Sequence, residues 1–126
     1  MILDTNAISA LAKKDEALLQ CLEEAEQLAT TLITIGEFAF GVRQSNRRSD
    51  LEEWLRNGLL ARAEIFFPDL STAEHYADIR SELRRNGTPI PTNDIWISAL
   101  VRQHAMPLLS LDQHFDRVRD LTRIAW

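Results

Sequence analysis

Short apolar runs alternate with longer amphipathic stretches along the whole of this chain, and that order leaves few folds open. MILD at positions 1–4, LATTLIT at 28–34, EIFFPDL at 64–70, MPLLSLD at 106–112 and LTRIAW at 121–126 each have the length of a buried strand. Between them the spacing predicts helices. One runs from Thr5 to about Lys14, and a second from Asp15 to about Gln27 through Leu18, Leu19 and Leu22. TIGEFAFGVRQ at 34–44 is a third, and a longer one carries Leu51, Trp54, Leu55, Leu59 and Leu60. STAEHYADIRSELRRNG at 71–87 follows, with Ser71 as cap and Gly87 as stop, then TNDIWISALVRQHA at 92–105 and a short QHFDRV at 113–118. Strands separated by helices imply right-handed crossovers and a sheet covered on both faces. The expected fold is a three-layer α/β/α sandwich with a mainly parallel central sheet, formed by residues 1–126 as one domain.

Composition narrows the function classes. No apolar run reaches the roughly 20 residues of a membrane helix, and no basic stretch leads into an apolar signal segment, so a cytosolic protein is expected. Cys21 is the only cysteine, which excludes an internal disulfide and a multi-cysteine zinc site; its helical stripe with Leu18, Leu22 and Ala25 places it in the core. Four glycines are too few for a Walker loop or a dinucleotide fingerprint, and none is arranged as one. A net charge of −5 argues against a general nucleic-acid coat. The basic residues are nonetheless selective, because Lys13 and Lys14 are the only lysines and the rest are arginines. Arg43, Arg47 and Arg48 form one group and Arg80, Arg84 and Arg85 another. Guanidinium forks suit phosphate, although solvated helix faces are the plainer reading of both groups.

Four carboxylates occupy one kind of place: Asp4 ends the first strand, Glu37 lies just inside the helix after TTLIT, Asp94 is in the first turn of TNDIWISALV, and Asp112 ends PLLSLD. Each has a structural explanation taken singly. Asp4 and Asp112 suit N-caps worth about 1 kcal/mol apiece. Thr34 and Glu37 have capping-box spacing, and Asp94 complements a helix dipole. Topology shifts the balance, because every strand-to-helix junction of a parallel sheet opens at the same edge. Four acids gathered there repel one another unless a cation sits among them. All-oxygen ligation favours Mg²⁺, with Mn²⁺ as a substitute. Such an ion activates water and neutralises charge on a phosphodiester. Thr5, Asn6, Asn93 and Ser110 flank the acids and suit orienting roles as well as turn chemistry. Asp116, one helical turn beyond Asp112, is placed either in the same pocket or in solvent. His114 reads as a surface residue with the option of touching a substrate phosphate. With His75 and His104 it forms no zinc-like pair, and no Ser-His-Asp or Cys-His arrangement is evident.

With these residues in place, MILDTNAIS, TIGEFAFGV, TNDIWISAL and LLSLDQHFDRV, in that order, make the chain resemble the PIN-domain ribonucleases, and among them the VapC-type toxins of toxin-antitoxin pairs. The resemblance covers nearly the whole chain. It implies a Mg²⁺- or Mn²⁺-dependent endoribonuclease in which Asp4, Glu37, Asp94 and Asp112 are the metal-binding catalytic quartet. Asp116 stands as an alternative to Asp112, and Ser110 is found where relatives often have threonine. It implies cleavage of single-stranded or loop RNA leaving a 5′-phosphate and a 3′-hydroxyl, a homodimer, and silencing by a VapB-like antitoxin. For RNA contact the arginine groups supply Arg43, Arg80, Arg84 and Arg85, with His114 beside the pocket. Phe38, Phe40, Trp54 and Leu55 suit either a protein interface or the core.

Two rivals stand beside this reading. A receiver-type phosphoacceptor domain also sets carboxylates at strand ends, but it needs a lysine at a late strand end, and here lysines are confined to positions 13 and 14. A catalytically silent PIN-like RNA-binding module would keep the scaffold without hydrolysis, against which the complete quartet argues.

Overall fold

The computed structural model describes residues 1–126. Five short parallel strands form one sheet: β1 (Ile2–Leu3), β2 (Ala29–Thr31), β3 (Glu64–Phe66), β4 (Leu108–Leu109) and β5 (Arg123–Ile124), in the order β3-β2-β1-β4-β5. β1 is central, pairing Ile2 with Ala29 on one side and with Leu108 on the other. The helices are α1 (Thr5–Ala12), α2 (Glu16–Glu23), α3 (Leu32–Arg43), α4 (Arg48–Trp54), α5 (Leu70–Arg85) and α6 (Thr92–His104). No helix is long and apolar enough to cross a membrane.

Strand alternation divides the core in two. Leu3 and Leu109 turn to one face, where they meet Ala7 and Ile8 of α1, Leu18 of α2, and Phe38 and Val42 of α3. Ile2, Ala29 and Leu108 turn to the other and pack on Ile97, Leu100 and Val101 of α6. α5 lies outside α6, with Ile79 and Leu83 against Ile95 and Ala99. Central strands of two or three residues suffice because both neighbours are paired and both faces are covered. The expected α/β/α architecture and parallel sheet are therefore observed.

Several boundaries differ from the sequence reading, each for a local reason. LATTLIT is strand only through Thr31. The Thr31 hydroxyl accepts from the amide of Thr34 at 3.0 Å and starts α3 at Leu32, so Leu32, Ile33 and Thr34 are helical. α5 is capped by Asp69 and not by Ser71. The Asp69 carboxylate accepts from the Thr72 amide at 3.0 Å while the Thr72 hydroxyl accepts from the Asp69 amide at 2.9 Å, a complete capping box. Its end does fall at Asn86 and Gly87, the latter at φ +65°. The long helix carrying Trp54 is α4 followed by a π-helical turn at Leu55–Leu59. Gly58 there lies under the Trp54 indole, where a β-carbon would come within 3.3 Å of the ring. Of the four residues with two readings, Phe38 and Leu55 are buried, and Trp54 is half-buried edge-on to Phe38 at 6.0 Å between ring centres. Phe40 alone is solvent-facing, 68% exposed.

Candidate active site

The chain leaves the sheet at the C-terminal ends of β1, β2 and β4, and three of the four acids sit at or just beyond those points. Asp4 occupies the N-cap position of α1, yet its side chain makes no capping bond. Instead Oδ2 accepts from the Ser110 hydroxyl at 2.7 Å and, at 3.5 Å, from the amide nitrogen of Asn6. Asn6 also receives the Leu111 amide at 3.1 Å, and Ser110 Oγ receives the Asp112 amide at 3.0 Å. These bonds lace the segment after β4 to the segment after β1, more than 100 residues away in the chain.

Because α3 begins at Leu32, Glu37 falls in its second turn and is no capping-box residue; the Thr34–Glu37 pairing read from spacing does not form. Its carboxylate accepts from the Thr5 hydroxyl at 2.9 Å, which aims it toward the start of α1. Asp94 lies in the first turn of α6 and is buried, 9% exposed. Asp112 caps the 3-10 helix Gln113–Arg117 by accepting the His114 amide at 2.9 Å. That cap swings the His114 ring inward, so Nδ1 stands 3.2 Å from Asp94 Oδ2 and 3.2 Å from Asp112 Oδ1.

Electrostatics show that the acids share one space. Asp94 is pushed up from its ordinary 3.8 to about 6, first by burial and then by the charges of Asp112, Asp4 and Glu37, while the bond to His114 pulls the other way. Asp4, 5% exposed, is also raised, mainly by burial, with the Ser110 bond opposing and Glu37 and Asp112 adding to the rise. No lysine or arginine forms a salt bridge with any of the four, although the charge of Arg123 acts on Asp112 from farther off; His114 lies nearest, 3.2 Å from Asp94 and from Asp112. Mutually repelling carboxylates, two of them buried and two half-buried, are the donor set a hard dication requires, so the residues fit Mg²⁺ or Mn²⁺. The tightest group of potential ligand atoms comprises Asp94, Asp112 and His114, all within 4.8 Å of one another. Asp4 and Glu37 stand outside that group but near enough to raise Asp94 through their charge.

The structure sorts the remaining candidates. Thr5, Asn6 and Ser110 are bonded within the pocket. Asn93 is exposed and takes no part in these bonds. Asp116 does not reach the pocket as a ligand: both its oxygens accept from Arg123, at 2.8 Å each, and this fork holds it well below the usual carboxylate range. Arg123, which the sequence did not single out, then donates to the Ser110 carbonyl at 3.0 Å and so braces the pocket segment from β5. His114, its side chain 41% exposed, keeps the surface position expected but turns Nδ1 toward Asp94 and Asp112. A histidine two positions after a strand-ending, capping aspartate was the available signal. Arg84 and Arg85 end α5, beside the loop that leads into α6 and Asp94, and both are exposed. Arg80 donates to the Tyr76 hydroxyl at 2.7 Å, and Arg43 caps its own helix at the Ala39 carbonyl.

Comparison with known proteins supplies the family and agrees with the fold. The PIN domain family profile matches residues 1–121. Ribonuclease VapC1 of Haemophilus influenzae is 30% identical over 141 aligned positions, covering 99% of this chain and 96% of that protein. Ribonuclease VapC5 of Mycobacterium tuberculosis is 28% identical, covering 90% and 84% respectively. Among solved structures, VapBC2 from Rickettsia felis bound to a DNA fragment from its promoter superposes with a TM-score of 0.88 at 25% identity, covering 99% of this chain and 97% of that one. VapBC-5 from Mycobacterium tuberculosis, a member of the VapBC family of toxin-antitoxin systems, gives 0.78 at 27% identity, covering 99% and 97%. The acid-lined edge, the five-stranded parallel sheet and these likenesses converge: the chain belongs to the PIN domain family, in its VapC branch.

Proposed function

We propose that this protein is a metal-dependent endoribonuclease and the toxin of a toxin-antitoxin pair. The observation that carries the reading is the mutual repulsion of Asp4, Glu37, Asp94 and Asp112, none of which forms a salt bridge to a lysine or arginine. The four carboxylates would hold Mg²⁺ or Mn²⁺, which when bound supplies Lewis acidity toward a phosphodiester oxygen and toward a nucleophilic water. The chain's own groups do the positioning. Ser110 and Asn6 fix the Asp4 carboxylate, Thr5 fixes Glu37, and Arg123 holds the Ser110 segment in register. Arg84 and Arg85, exposed at the end of α5, would meet the RNA backbone, and unpaired RNA would fit better than duplex because its bases can be splayed out. Cleavage should leave a 5′-phosphate and a 3′-hydroxyl.

The relatives' names support RNA as substrate, and the VapBC assemblies support a protein partner of the VapB kind. A homodimer in the cytosol completes the reading. Purified protein incubated with a pool of structured RNAs should cut in Mg²⁺ and not in EDTA. Asp94→Asn and Glu37→Gln, which keep shape and hydrogen bonding but remove charge, should lower cleavage at least about 100-fold, the loss of roughly 3 kcal/mol of transition-state stabilisation. Cleavage that persists in EDTA, or in both variants, would refute the proposal.

A further inference from the structure

We infer that His114 is a direct metal ligand through Nδ1, which makes this pocket a mixed nitrogen-oxygen centre that prefers transition-metal dications to Mg²⁺. The inference rests on the metal-dependent reading above and adds a ligand, and a selectivity, to the four carboxylates.

The geometry carries it. Nδ1 lies 3.2 Å from an oxygen of Asp94 and 3.2 Å from an oxygen of Asp112. Adjacent ligands around a six-coordinate ion with bonds of about 2.1 Å stand about 3 Å apart, so Nδ1 has the spacing of a neighbouring ligand to each of the two carboxylate oxygens. As a hydrogen-bond donor the ring does less well. One Nδ1–H cannot point along both directions at once: it is in bonding geometry to Asp94 Oδ2 alone, and the equally near Asp112 Oδ1 receives no bond from the ring. The ring is held in place by the backbone, because the Asp112 carboxylate accepts the His114 amide at 2.9 Å and the following Phe115 is fully buried. As a ligand the ring would be the neutral Nε2–H tautomer, any Nδ1 proton having passed to water, which would leave the Nδ1 lone pair on the side of the Asp94 and Asp112 oxygens. Imidazole nitrogen is a poor ligand for Mg²⁺ and a good one for the later divalent metals, which is why one histidine changes the selectivity of an otherwise all-oxygen site.

The test uses Mn²⁺ as probe on the whole purified chain and reads binding and spectrum, independent of RNA cleavage. Electron spin-echo modulation of bound Mn²⁺ should show coupling to a directly bonded ¹⁴N, lost in His114→Ala and in His114→Asp. The Mg²⁺ concentration needed to displace half of the Mn²⁺ should fall about tenfold in His114→Ala, at the lower end of what losing even an outer-sphere group costs. The His114 side chain is 41% exposed, so the alanine variant is expected to fold, and His114→Asp, which keeps a ligating side chain, is the second variant if it does not. Mn²⁺ bound without nitrogen coupling, or displaced equally easily in all three proteins, would overturn the role of His114 and leave the carboxylate centre standing. Failure of Mn²⁺ to bind any of them would overturn both.

Discussion

Replacing Asp94 by asparagine should stabilise the metal-free protein, and the structure gives the size and the pH window. Folding raises the Asp94 carboxyl from its ordinary 3.8 to about 6, principally through burial. At about 1.4 kcal/mol per tenfold change in proton affinity, holding the charged form at neutral pH costs at most about 3 kcal/mol. The pocket mouth is open to solvent, so screening reduces this to about 1–2 kcal/mol. The sign follows from proton counting. Between pH 3.8 and about 6 the folded chain binds more protons than the unfolded one, so stability falls as pH rises through that window. The penalty is complete above about pH 6 and absent below 3.8. The substituted carboxamide cannot ionise, and its oxygen can still accept from His114. In EDTA at pH 7.5 the melting temperature of Asp94→Asn should therefore exceed that of the parent by about 4–8 °C, and the two should converge near pH 4. Mg²⁺ at about 100 times its dissociation constant would stabilise the parent by about 2.7 kcal/mol and reverse the order. Circular-dichroism melts across pH 4–8, with and without Mg²⁺, measure all of this. A variant less stable than the parent at every pH, or a gain that does not depend on pH, would show that Asp94 serves helix α6 and not a shared anionic pocket.

Two further outcomes are expected. Arg123→Ala removes the brace on the Ser110 carbonyl and the fork to Asp116. Its salt bridge is largely exposed on the Asp116 side and should cost under about 1 kcal/mol in a thermal melt, whereas RNA cleavage should drop about tenfold or more. Unchanged cleavage would dismiss Arg123 as a positioning residue. Thr31→Ala deletes a fully buried cap and its contact with the Thr34 hydroxyl at 2.8 Å, so denaturant unfolding should report a loss of about 1–2 kcal/mol. A loss below about 0.3 kcal/mol would argue that α3 starts where the spacing of Thr34 and Glu37 had suggested.

Much of this molecule is written in local pattern. Apolar runs of strand length alternating with helical stripes dictate a covered parallel sheet, and a parallel sheet sends every strand-to-helix junction to one edge. Asp4, Glu37 and Asp112 could therefore be picked out before any coordinates, since their position after predicted strands is a property of order along the chain, whereas Asp94 follows a helix and a loop and was marked only by its place in the first turn of α6. Short-range capping was less legible. Thr31, Asp69 and Ser71 are all acceptable caps by residue type, and which one starts a helix depends on whether the next residues pack on the sheet.

What tertiary structure alone decided is which groups face one another across long chain separations. Ser110 reaching Asp4, Thr5 reaching Glu37, and Arg123 splitting its bonds between Asp116 and the Ser110 carbonyl join segments that no spacing rule connects. His114 is the clearest case. Its neighbours in sequence mark it as the start of an exposed turn, and only the Asp112 cap together with the arrival of α6 places its ring between two carboxylates. Periodicity encodes which face of an element is apolar, because burial is read residue by residue. It does not encode the meeting of polar side chains, because a hydrogen bond of about 3 Å depends on the relative placement of two elements to a precision that hydrophobic patterning does not carry.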